Sequence, residues 1–241
     1  MAIPLEEFND KIVYKKMAKH SRIEVINKMW KTGLVPLFYH PDIAIMKRVV
    51  KACYDGGAQV FEFTSRGDFA DEVFLALNKY VLAELPGMAL GVGSVSDAGA
   101  ASRYIQMGAN FIITPVFRED VAITCNRSKI LWSPGCGSLS EIAKAEELGC
   151  EMVKLFPADI YGSGFIKAIK GPQPWTEIMP TGGVSPTEES LTEWFQAGAR
   201  CVGIGSQLIT KEIIKTENYK SLEERTRFAL DVIKKLKDKV S

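Results

Sequence analysis

One junction recurs along this chain: a helix-like stretch ends at a glycine, and a short apolar run follows at once. It occurs at Gly57-Ala58, Gly108-Ala109, Gly149-Cys150 and Gly198-Ala199. A glycine just past a helix closes it in the left-handed conformation, which other residues adopt only at a cost. Each apolar run that follows is short enough to be a buried parallel strand. The junction therefore predicts a fold that alternates helices with parallel strands.

Eight short apolar runs are candidates for these strands. They cover residues 34–38, 60–63, 88–92, 111–113, 130–132, 152–156, 178–181 and 201–204. Segments with helical spacing of apolar residues, such as 71–85 and 186–196, lie between them. Eight alternating units favour an α/β fold of the (β/α)8 TIM barrel type over an open doubly wound sheet. The open sheet stays an alternative because the order of elements does not fix closure.

A single domain with a short extension accounts for the whole length. The chain has 241 residues, of which 46% are hydrophobic and 24% charged, and barrels of this size fold as one unit. We predict an N-terminal helical extension over residues 1–31, in which residues 21–31 form a helix beneath the barrel. Residues 32–241 are predicted to form the barrel, with a closing helix over residues 221–240.

The charge balance bears on the partners that the chain can have. Its 30 basic and 29 acidic residues give a net charge of +1, which lacks the basic excess expected of a nucleic-acid-binding protein. No segment reaches the roughly 18 consecutive apolar residues of a membrane span, and residues 1–31 lack the apolar stretch of a secretion signal. We therefore expect a cytoplasmic protein whose partners are small molecules rather than nucleic acid or membrane.

Cysteine and histidine usage argues against thiol and metal chemistry. The chain has five cysteines, an odd number, with no C-x-x-C pair, and most lie in apolar contexts typical of buried thiols. Its two histidines, His20 and His40, are not adjacent to a cysteine and form no H-x-H or H-E-x-x-H motif. We therefore predict neither a nucleophilic cysteine nor a metal site.

Two charged residues interrupt strands that are otherwise apolar: Glu62 and Lys154. Because side chains alternate along a strand, Phe61 and Phe63 face the opposite side from Glu62. If the apolar faces pack on the outer helices, both charges point into the barrel. There they form either a structural ion pair or an active site. Their position near the carboxyl ends of their strands, where barrel enzymes place catalytic residues, favours the active site.

The chemistry available to such a pair is specific. Burial disfavours a charged ammonium group, so an enclosed lysine is suited to attack a ketone as the neutral amine. A carboxylate beside it can transfer the protons that Schiff-base chemistry requires. Arg66, four residues after Glu62, offers a planar guanidinium suited to a substrate carboxylate. Taken alone, Arg66 would instead be interpreted as a solvated loop residue.

Two glycine-rich turns follow the seventh and eighth predicted strands. They are Thr181-Gly182-Gly183-Val184-Ser185 and Gly203-Ile204-Gly205-Ser206. Glycines let backbone N–H groups approach an anion closely, and in barrels these two loops commonly bind phosphate. Either turn alone would be ordinary turn chemistry. Their occurrence in consecutive loops predicts a phosphate site.

These residues together resemble the KDPG/KHG aldolases, the class I enzymes that act on 2-dehydro-3-deoxy-6-phosphogluconate (KDPG) and 4-hydroxy-2-oxoglutarate (KHG). The resemblance spans about residues 34–208 and rests on motifs in the same order. They are Gly56-Gly57, Phe61-Glu62-Phe63-Thr64-Ser65-Arg66, Gly91-Val92-Gly93-Ser94-Val95, Ile113-Thr114-Pro115, Pro134-Gly135, Val153-Lys154-Leu155-Phe156-Pro157-Ala158, Pro180-Thr181-Gly182-Gly183-Val184-Ser185 and Gly205-Ser206.

The resemblance implies a role for each matching residue. Lys154 corresponds to the Schiff-base lysine and Glu62 to the acid/base glutamate. The remaining positions imply substrate contacts: Arg66 and Ser94 for the pyruvate carboxylate, Gly182, Gly183 and Ser206 for phosphate, Phe156 and Pro115 in the pocket lining, and Thr181 and Gly205 within the phosphate-binding turns. No metal or cofactor is implied, and the family is typically a homotrimer.

The implied reaction cleaves KDPG to pyruvate and glyceraldehyde 3-phosphate. Cleavage of KHG or of 2-dehydro-3-deoxy-6-phosphogalactonate is the alternative within the family. A barrel that only binds a phosphorylated ligand is the alternative from another class, and a metal-dependent aldolase is a third. This chain departs from the usual family residues around the mouth. Tyr39-His40 stands where a basic residue is frequent, Ser94 replaces threonine, Val116 replaces glycine, and Cys136-Gly137-Ser138 is atypical. These changes bear on substrate choice more than on the chemistry.

Overall fold

The computed structural model describes residues 18–239, so residues 1–17 of the predicted extension and residues 240–241 lie outside it. Within that range, eight parallel strands form one sheet in the order β7-β6-β5-β4-β3-β2-β1-β8. The strands are β1 (Leu34–Phe38), β2 (Val60–Thr64), β3 (Ala89–Gly93), β4 (Phe111–Thr114), β5 (Leu131–Cys136), β6 (Val153–Leu155), β7 (Ile178–Pro180) and β8 (Val202–Ile204). A parallel bridge between Thr181 and Gly203 joins the two ends of the sheet. The predicted TIM barrel is confirmed, and the open sheet is wrong.

Helices alternate with the strands and surround them. They are α1 (Arg22–Thr32), α2 (Ile43–Asp55), α3 (Ala70–Glu84), α4 (Ala98–Gln106), α5 (Glu119–Ser128), α6 (Leu139–Glu147), α7 (Ala158–Tyr161), α8 (Ser163–Lys170), α9 (Glu188–Gln196), α10 (Lys211–Thr216) and α11 (Tyr219–Asp238). All four predicted glycine junctions have the expected geometry, with φ of 104° at Gly57, 90° at Gly108, 77° at Gly149 and 102° at Gly198. The closing helix begins two residues earlier than predicted because Asn218 caps its amino end.

Side chains along the strands alternate between two separate apolar clusters. Phe61, Phe63 and Leu155 belong to the cluster between the strands and the outer helices. Val60 and Met152 belong to a second cluster, inside the barrel. Glu62 and Lys154 share the parity of these inner residues, so their side chains start from the inner face of the barrel, as the alternation predicts.

Helix α1 covers the amino-terminal end of the barrel. Ser21 and Glu24 form a reciprocal capping box that starts the helix, and Gly33 ends it with φ of 71°. Val25 and Met29 are fully buried and pack with the inner cluster at the beginnings of the strands. The predicted helix at residues 21–31 is therefore present, and it leaves the opposite, carboxyl end of the barrel open for a site.

Strands β5 and β6 differ most in length from the sequence prediction, and the other strands agree with it to within one residue at each end. Strand β5 continues to Cys136 instead of ending at Trp132, because Gly135 pairs with Lys154 and Pro134 with Thr114 on the neighbouring strands. Strand β6 is shorter than predicted and covers three residues. The short helices α7 and α10 were not predicted. Among the described residues, no helix has both the length and the apolar character needed to cross a membrane.

Candidate active site

The two charged strand residues meet inside the barrel. Lys154 Nζ lies 3.7 Å from Glu62 Oε1, and the side chains are only 7% and 1% exposed. Lys154 Nζ also lies 4.9 Å from the centre of the Phe156 ring. Neither carboxylate oxygen of Glu62 has a hydrogen-bond partner among the described residues, although both are buried. Buried polar atoms are normally satisfied, so this carboxylate has unused capacity to bind a ligand hydroxyl or a water.

Glycines on β3 and β5 let neighbouring groups pack closely inside the barrel. A Cβ atom at Gly91 would lie 2.3 Å from the Phe111 ring, and one at Gly135 would lie 2.1 Å from the Pro115 carbonyl oxygen. Strands β3 and β5 therefore have no side chain at these inward-facing positions, where other barrels carry one. The Phe111 ring and the Pro115 backbone occupy the space at these two positions, and Glu62 occupies the corresponding space at Gly93.

A cavity of about 600 Å³ opens at the carboxyl ends of the strands. Its walls come from the ends of β1, β2, β6, β7 and β8 and the loops that follow them. Phe156 lines the cavity and also faces Lys154 Nζ, so it connects the open space with the buried pair. A volume of this size suits a small organic substrate.

Arg66 lies at the cavity wall on a loop that is fixed on both sides. The Ser65 backbone N–H donates to the Gly93 carbonyl oxygen at 2.9 Å, and the Ser65 and Tyr104 hydroxyls are 2.7 Å apart. Arg66 Nε donates to Ser94 Oγ at 3.4 Å, and Ser94 has the left-handed φ of 61° that is uncommon outside glycine. The guanidinium and the Ser94 hydroxyl are therefore adjacent, as expected if they bind one carboxylate.

The loop after β7 places backbone atoms at the wall of the cavity. Gly182 and Gly183 have φ of 94° and 76°, so other residues would be strained there. A Cβ on Gly183 would also lie 2.5 Å from the Cβ of Asp159 in α7. Thr181 Oγ1 is buried and without a hydrogen-bond partner among the described residues, and Thr181 lines the cavity. Because Gly182 and Gly183 have no side chains, an anion could closely approach the backbone N–H groups of this loop.

The structure gathers most of the predicted site residues around one space. Those that line the cavity are Arg66, Phe156, Thr181, Gly182, Gly183, Gly205 and Ser206. Lys154 and Glu62 are buried beside it. Ser94 and Pro115 do not line it: Ser94 contacts Arg66, and Pro115 packs against Gly135.

Comparison with known proteins gives the family. A sequence model described as KDPG and KHG aldolase matches residues 25–225. The chain belongs to this family. It is 30% identical over 216 residues to a 2-dehydro-3-deoxy-phosphogluconate aldolase of Pseudoalteromonas atlantica, covering 89% of this chain and 97% of the relative. It is 27% identical over 215 residues to the KHG/KDPG aldolase of Escherichia coli, covering 85% of this chain and 98% of the relative.

A solved structure of the family aligns with the same barrel. The KDPG aldolase of Legionella pneumophila, with pyruvate captured at low pH as a covalent carbinolamine intermediate, has a TM-score of 0.75 and 26% identity. The alignment covers 83% of this chain and 95% of that chain. The prediction of a KDPG/KHG-type aldolase barrel is therefore confirmed, and this chain is an aldolase, a lyase. The roles of the individual residues remain predictions.

Some cavity residues of this aldolase were not singled out from the sequence. Thr64 is buried and lines the cavity two positions after Glu62, so strand alternation could have indicated it. Lys211 and Lys215 line the cavity from α10. Their spacing of four residues would have placed them on one side of a helix, but the sequence prediction had no helix there.

The cysteines are free and lie mostly in the core. Burial raises the pKa of the Cys53, Cys125, Cys136 and Cys201 thiols to about 12, and burial also raises the pKa of the half-buried Cys150. Such thiols carry almost no nucleophilic thiolate near neutral pH. Among residues 18–239, no group of three or more His, Cys, Asp or Glu side chains is arranged to hold a metal ion.

Proposed function

We propose that this chain is a class I aldolase that cleaves KDPG to pyruvate and glyceraldehyde 3-phosphate, with Lys154 as the nucleophile and Glu62 as the acid/base residue. The observation that carries the proposal is the buried pair, with Lys154 Nζ 3.7 Å from Glu62 Oε1 inside the barrel. A structural ion pair would be expected to satisfy its carboxylate, whereas both Glu62 oxygens lack hydrogen-bond partners among the described residues.

The first half of the reaction forms the Schiff base. Neutral Lys154 Nζ attacks the C2 ketone, which gives a carbinolamine, and loss of water then gives an iminium. Glu62 is close enough to supply and remove the protons in these steps, directly or through a water. The relative from Legionella pneumophila, captured as a pyruvate carbinolamine, supports this chemistry by analogy.

The second half cleaves the carbon chain. Glu62 accepts the proton of the C4 hydroxyl, and the C4 carbonyl forms as the C3–C4 bond breaks. The bonding electrons move into the iminium, which becomes an enamine, and glyceraldehyde 3-phosphate leaves. A proton then returns to C3, and water hydrolyses the iminium to release pyruvate and free Lys154.

The walls of the cavity suit the two ends of this substrate. Arg66, beside the Ser94 hydroxyl, is suited to the carboxylate of the keto acid. The turns containing Gly182, Gly183 and Ser206 are suited to the phosphate at the other end. We propose that Thr181, Gly205 and Phe156 also contact the substrate, and that Pro115 shapes the pocket through its contact with Gly135.

The direct test is reduction of the protein with borohydride in the presence of pyruvate, followed by intact mass and peptide mapping. We expect one pyruvyl adduct on the peptide that contains Lys154, and none in Lys154→Met. Lys170→Met is the matched control, because Lys170 is an outer lysine paired with Glu177. If the folded wild type gives no adduct, the aldolase mechanism is wrong and a barrel that only binds a phosphorylated ligand becomes the better assignment.

The choice among related substrates requires a kinetic comparison. All three substrates share the pyruvate half. KDPG and its galactonate epimer give the same aldehyde and differ only in configuration at C4, whereas KHG gives glyoxylate, which has no phosphate. We expect kcat/KM to be higher for KDPG than for KHG because the proposed phosphate-binding turns would contribute binding that KHG does not use, and the comparison with the galactonate epimer measures the preference for configuration at C4. A higher kcat/KM for KHG or for the galactonate epimer would replace KDPG as the substrate without affecting the Schiff-base mechanism.

We further propose that the protein is a homotrimer. Exposed apolar side chains follow β4, β5 and β6: Val116, Leu139, Ile160 and Tyr161. They lie on segments that touch one another, since Gly135 adjoins Val116 and Gly137 adjoins Tyr161. An exposed apolar surface of this kind is typical of a subunit contact. Light scattering should give the trimer mass, and Ile160→Asp, at a side chain that is 76% exposed, should lower it.

We also propose the cytoplasm as the compartment and residues 32–241 as the catalytic barrel, with residues 1–31 as a helical extension. The five free cysteines suit a compartment that keeps thiols reduced. The packing of α1 against the barrel bottom supports the role of the extension as a structural cover. Separation of a cell lysate, with detection of the protein by antibody, tests the compartment.

A further inference from the structure

Two lysines face the cavity from a helix that the proposed mechanism does not use. Lys211 and Lys215 are four residues apart on α10, so they lie on the same side of the helix, and both line the cavity. Both are exposed, and within residues 18–239 neither forms a hydrogen bond or an ion pair. Their positive charges are therefore available to a ligand in the cavity.

The cavity contains no opposing charge of its own. Arg66, Lys211 and Lys215 line it, whereas no Asp or Glu is among its lining residues within the described chain. Asp159 contacts the Gly182-Gly183 loop but does not line the cavity. Concave walls with one sign of charge concentrate the electric field and attract a ligand of the opposite sign. The lining thus matches an anion with more than the single charge of a carboxylate.

The cations are also divided between two places. Arg66 follows β2, whereas α10 follows β8, and β1 separates these two strands in the sheet. The α10 lysines share their side of the cavity with Gly205 and Ser206 at the end of β8, and β8 is joined to the β7 loop by the Thr181–Gly203 bridge. Arg66 is therefore positioned to bind one end of a ligand. Lys211 and Lys215 are on the side of the cavity that contains the glycine-rich turns, where the other end would bind.

We infer that Lys211 and Lys215 bind the terminal phosphate of the substrate and make α10 the element that selects phosphorylated over unphosphorylated aldehydes. The inference rests on the proposed aldolase function. Two ammonium groups match the nearly double negative charge of a phosphate monoester, while Arg66 serves the carboxylate.

The test compares two aldehydes that differ only in the phosphate. Condensation of pyruvate with D-glyceraldehyde 3-phosphate and with D-glyceraldehyde is measured for the wild type and for Lys211→Ala/Lys215→Ala. The ratio of the two kcat/KM values should fall by about tenfold or more, mainly through a higher KM for the phosphorylated aldehyde. That KM should also lose much of its dependence on ionic strength, because the screened attraction has been removed.

Two single substitutions that change a surface charge outside the cavity serve as controls. Glu212→Gln alters a charge on α10 itself, and Lys234→Ala removes an exposed lysine from α11; neither residue lines the cavity. Both variants should keep the wild-type ratio. Lys211→Gln/Lys215→Gln repeats the test with longer neutral side chains that retain the packing of the helix surface.

The outcomes separate this inference from the proposed function. If the wild type traps pyruvate on Lys154 but both double variants keep the wild-type ratio, or lose activity equally with both aldehydes, the α10 inference is overturned and the aldolase mechanism stands. If the wild type traps no pyruvate, the proposed function itself fails. A fall in the ratio for both double variants, with pyruvate trapping retained, supports the inference.

Discussion

The carboxylate of Glu62 occupies the space where a side chain on Gly93 would lie. A Cβ built on Gly93 would be 1.7 Å from Glu62 Oε1 and 2.5 Å from its Cδ. Glu62 is on β2 and Gly93 at the end of β3, so the small residue on one strand determines where the acid on its neighbour can point. The orientation of Glu62 toward Lys154 therefore depends on a residue that has no chemistry of its own.

Gly93→Ala should reduce activity by displacing Glu62. The added methyl group displaces the carboxylate from its present position beside Lys154, and a misplacement of about 1 Å at a reacting group can cost ~100-fold in rate. We expect kcat for KDPG cleavage to fall on that scale in a protein that still folds. Steady-state kinetics and circular dichroism measure the two effects.

Gly164→Ala provides the control for this substitution. Gly164 lies in α8, and a Cβ there meets no atom within 4 Å. That variant should have wild-type kinetics. Wild-type kcat in Gly93→Ala would show that the position of Glu62 is not set by Gly93.

The charges of Lys154 and Glu62 should depend on each other in their effect on the free energy of unfolding, as well as in catalysis. Lys154→Met leaves the Glu62 carboxylate buried without a counter-charge, which should lower the free energy of unfolding by about 3 kcal/mol. Adding Glu62→Gln should restore part of that loss, since the remaining groups are neutral. Urea denaturation of the two single variants and the double variant gives the coupling free energy.

An exposed lysine–glutamate pair provides the reference for this double-mutant comparison. Lys220 and Glu223 lie 3.1 Å apart on α11, but the lysine is 66% exposed. Water and salt screen such a pair, so Lys220→Met and Glu223→Gln should be nearly additive. Additivity at Lys154 and Glu62 as well would mean that their charges do not interact appreciably in the folded protein.

The sequence located the strands well where they are apolar and poorly where they are not. Residues 133–136 of β5 were missed because serine, proline and glycine are typical of turns. In the barrel, Ser133 donates its hydroxyl to the Met152 carbonyl, and Gly135 pairs with Lys154. These interactions come from neighbouring strands, and a local pattern does not contain them.

The site residues that lie in short motifs were predicted, whereas those brought to the cavity by the fold were not. Motifs indicated Arg66 and the glycine-rich turns because each is a short continuous segment. Lys211 and Lys215 were missed because α10 has only six residues, too few for a helical period to stand out. Their presence in the cavity depends on the pairing of β8 with β1, which closes the barrel. The sequence predicted this closure but does not specify the register of the two strands.

Met29 should contribute substantially to stability through the cover of the barrel bottom. Its side chain is fully buried in the inner cluster, so Met29→Ala should create a cavity and lower the free energy of unfolding by about 2–5 kcal/mol. Ile23→Ala, on the same helix at a side chain that is 70% exposed, should have little effect. Thermal unfolding of the two variants compares them, and equal melting temperatures would mean that α1 is not a structural cover.

His20 should make the protein less stable in mild acid. Its imidazole Nε2 lies 3.3 Å from the Met88 carbonyl oxygen, and burial, followed by the charge of Lys28, lowers its pKa from 6.5. The folded state therefore binds the proton less readily than the unfolded state. The stabilisation is fully present above pH 6.5 and is lost as the pH falls from there through the lower folded pKa.

His20→Gln removes this titration while keeping a side chain that can donate to the Met88 carbonyl. The difference in melting temperature between wild type and variant should therefore depend on pH. Between pH 7.5 and pH 5, the wild type should lose more stability than His20→Gln, by a modest amount because the imidazole is partly solvated. Parallel curves over that range would show that protonation of His20 is not linked to folding, and that other groups account for any acid sensitivity.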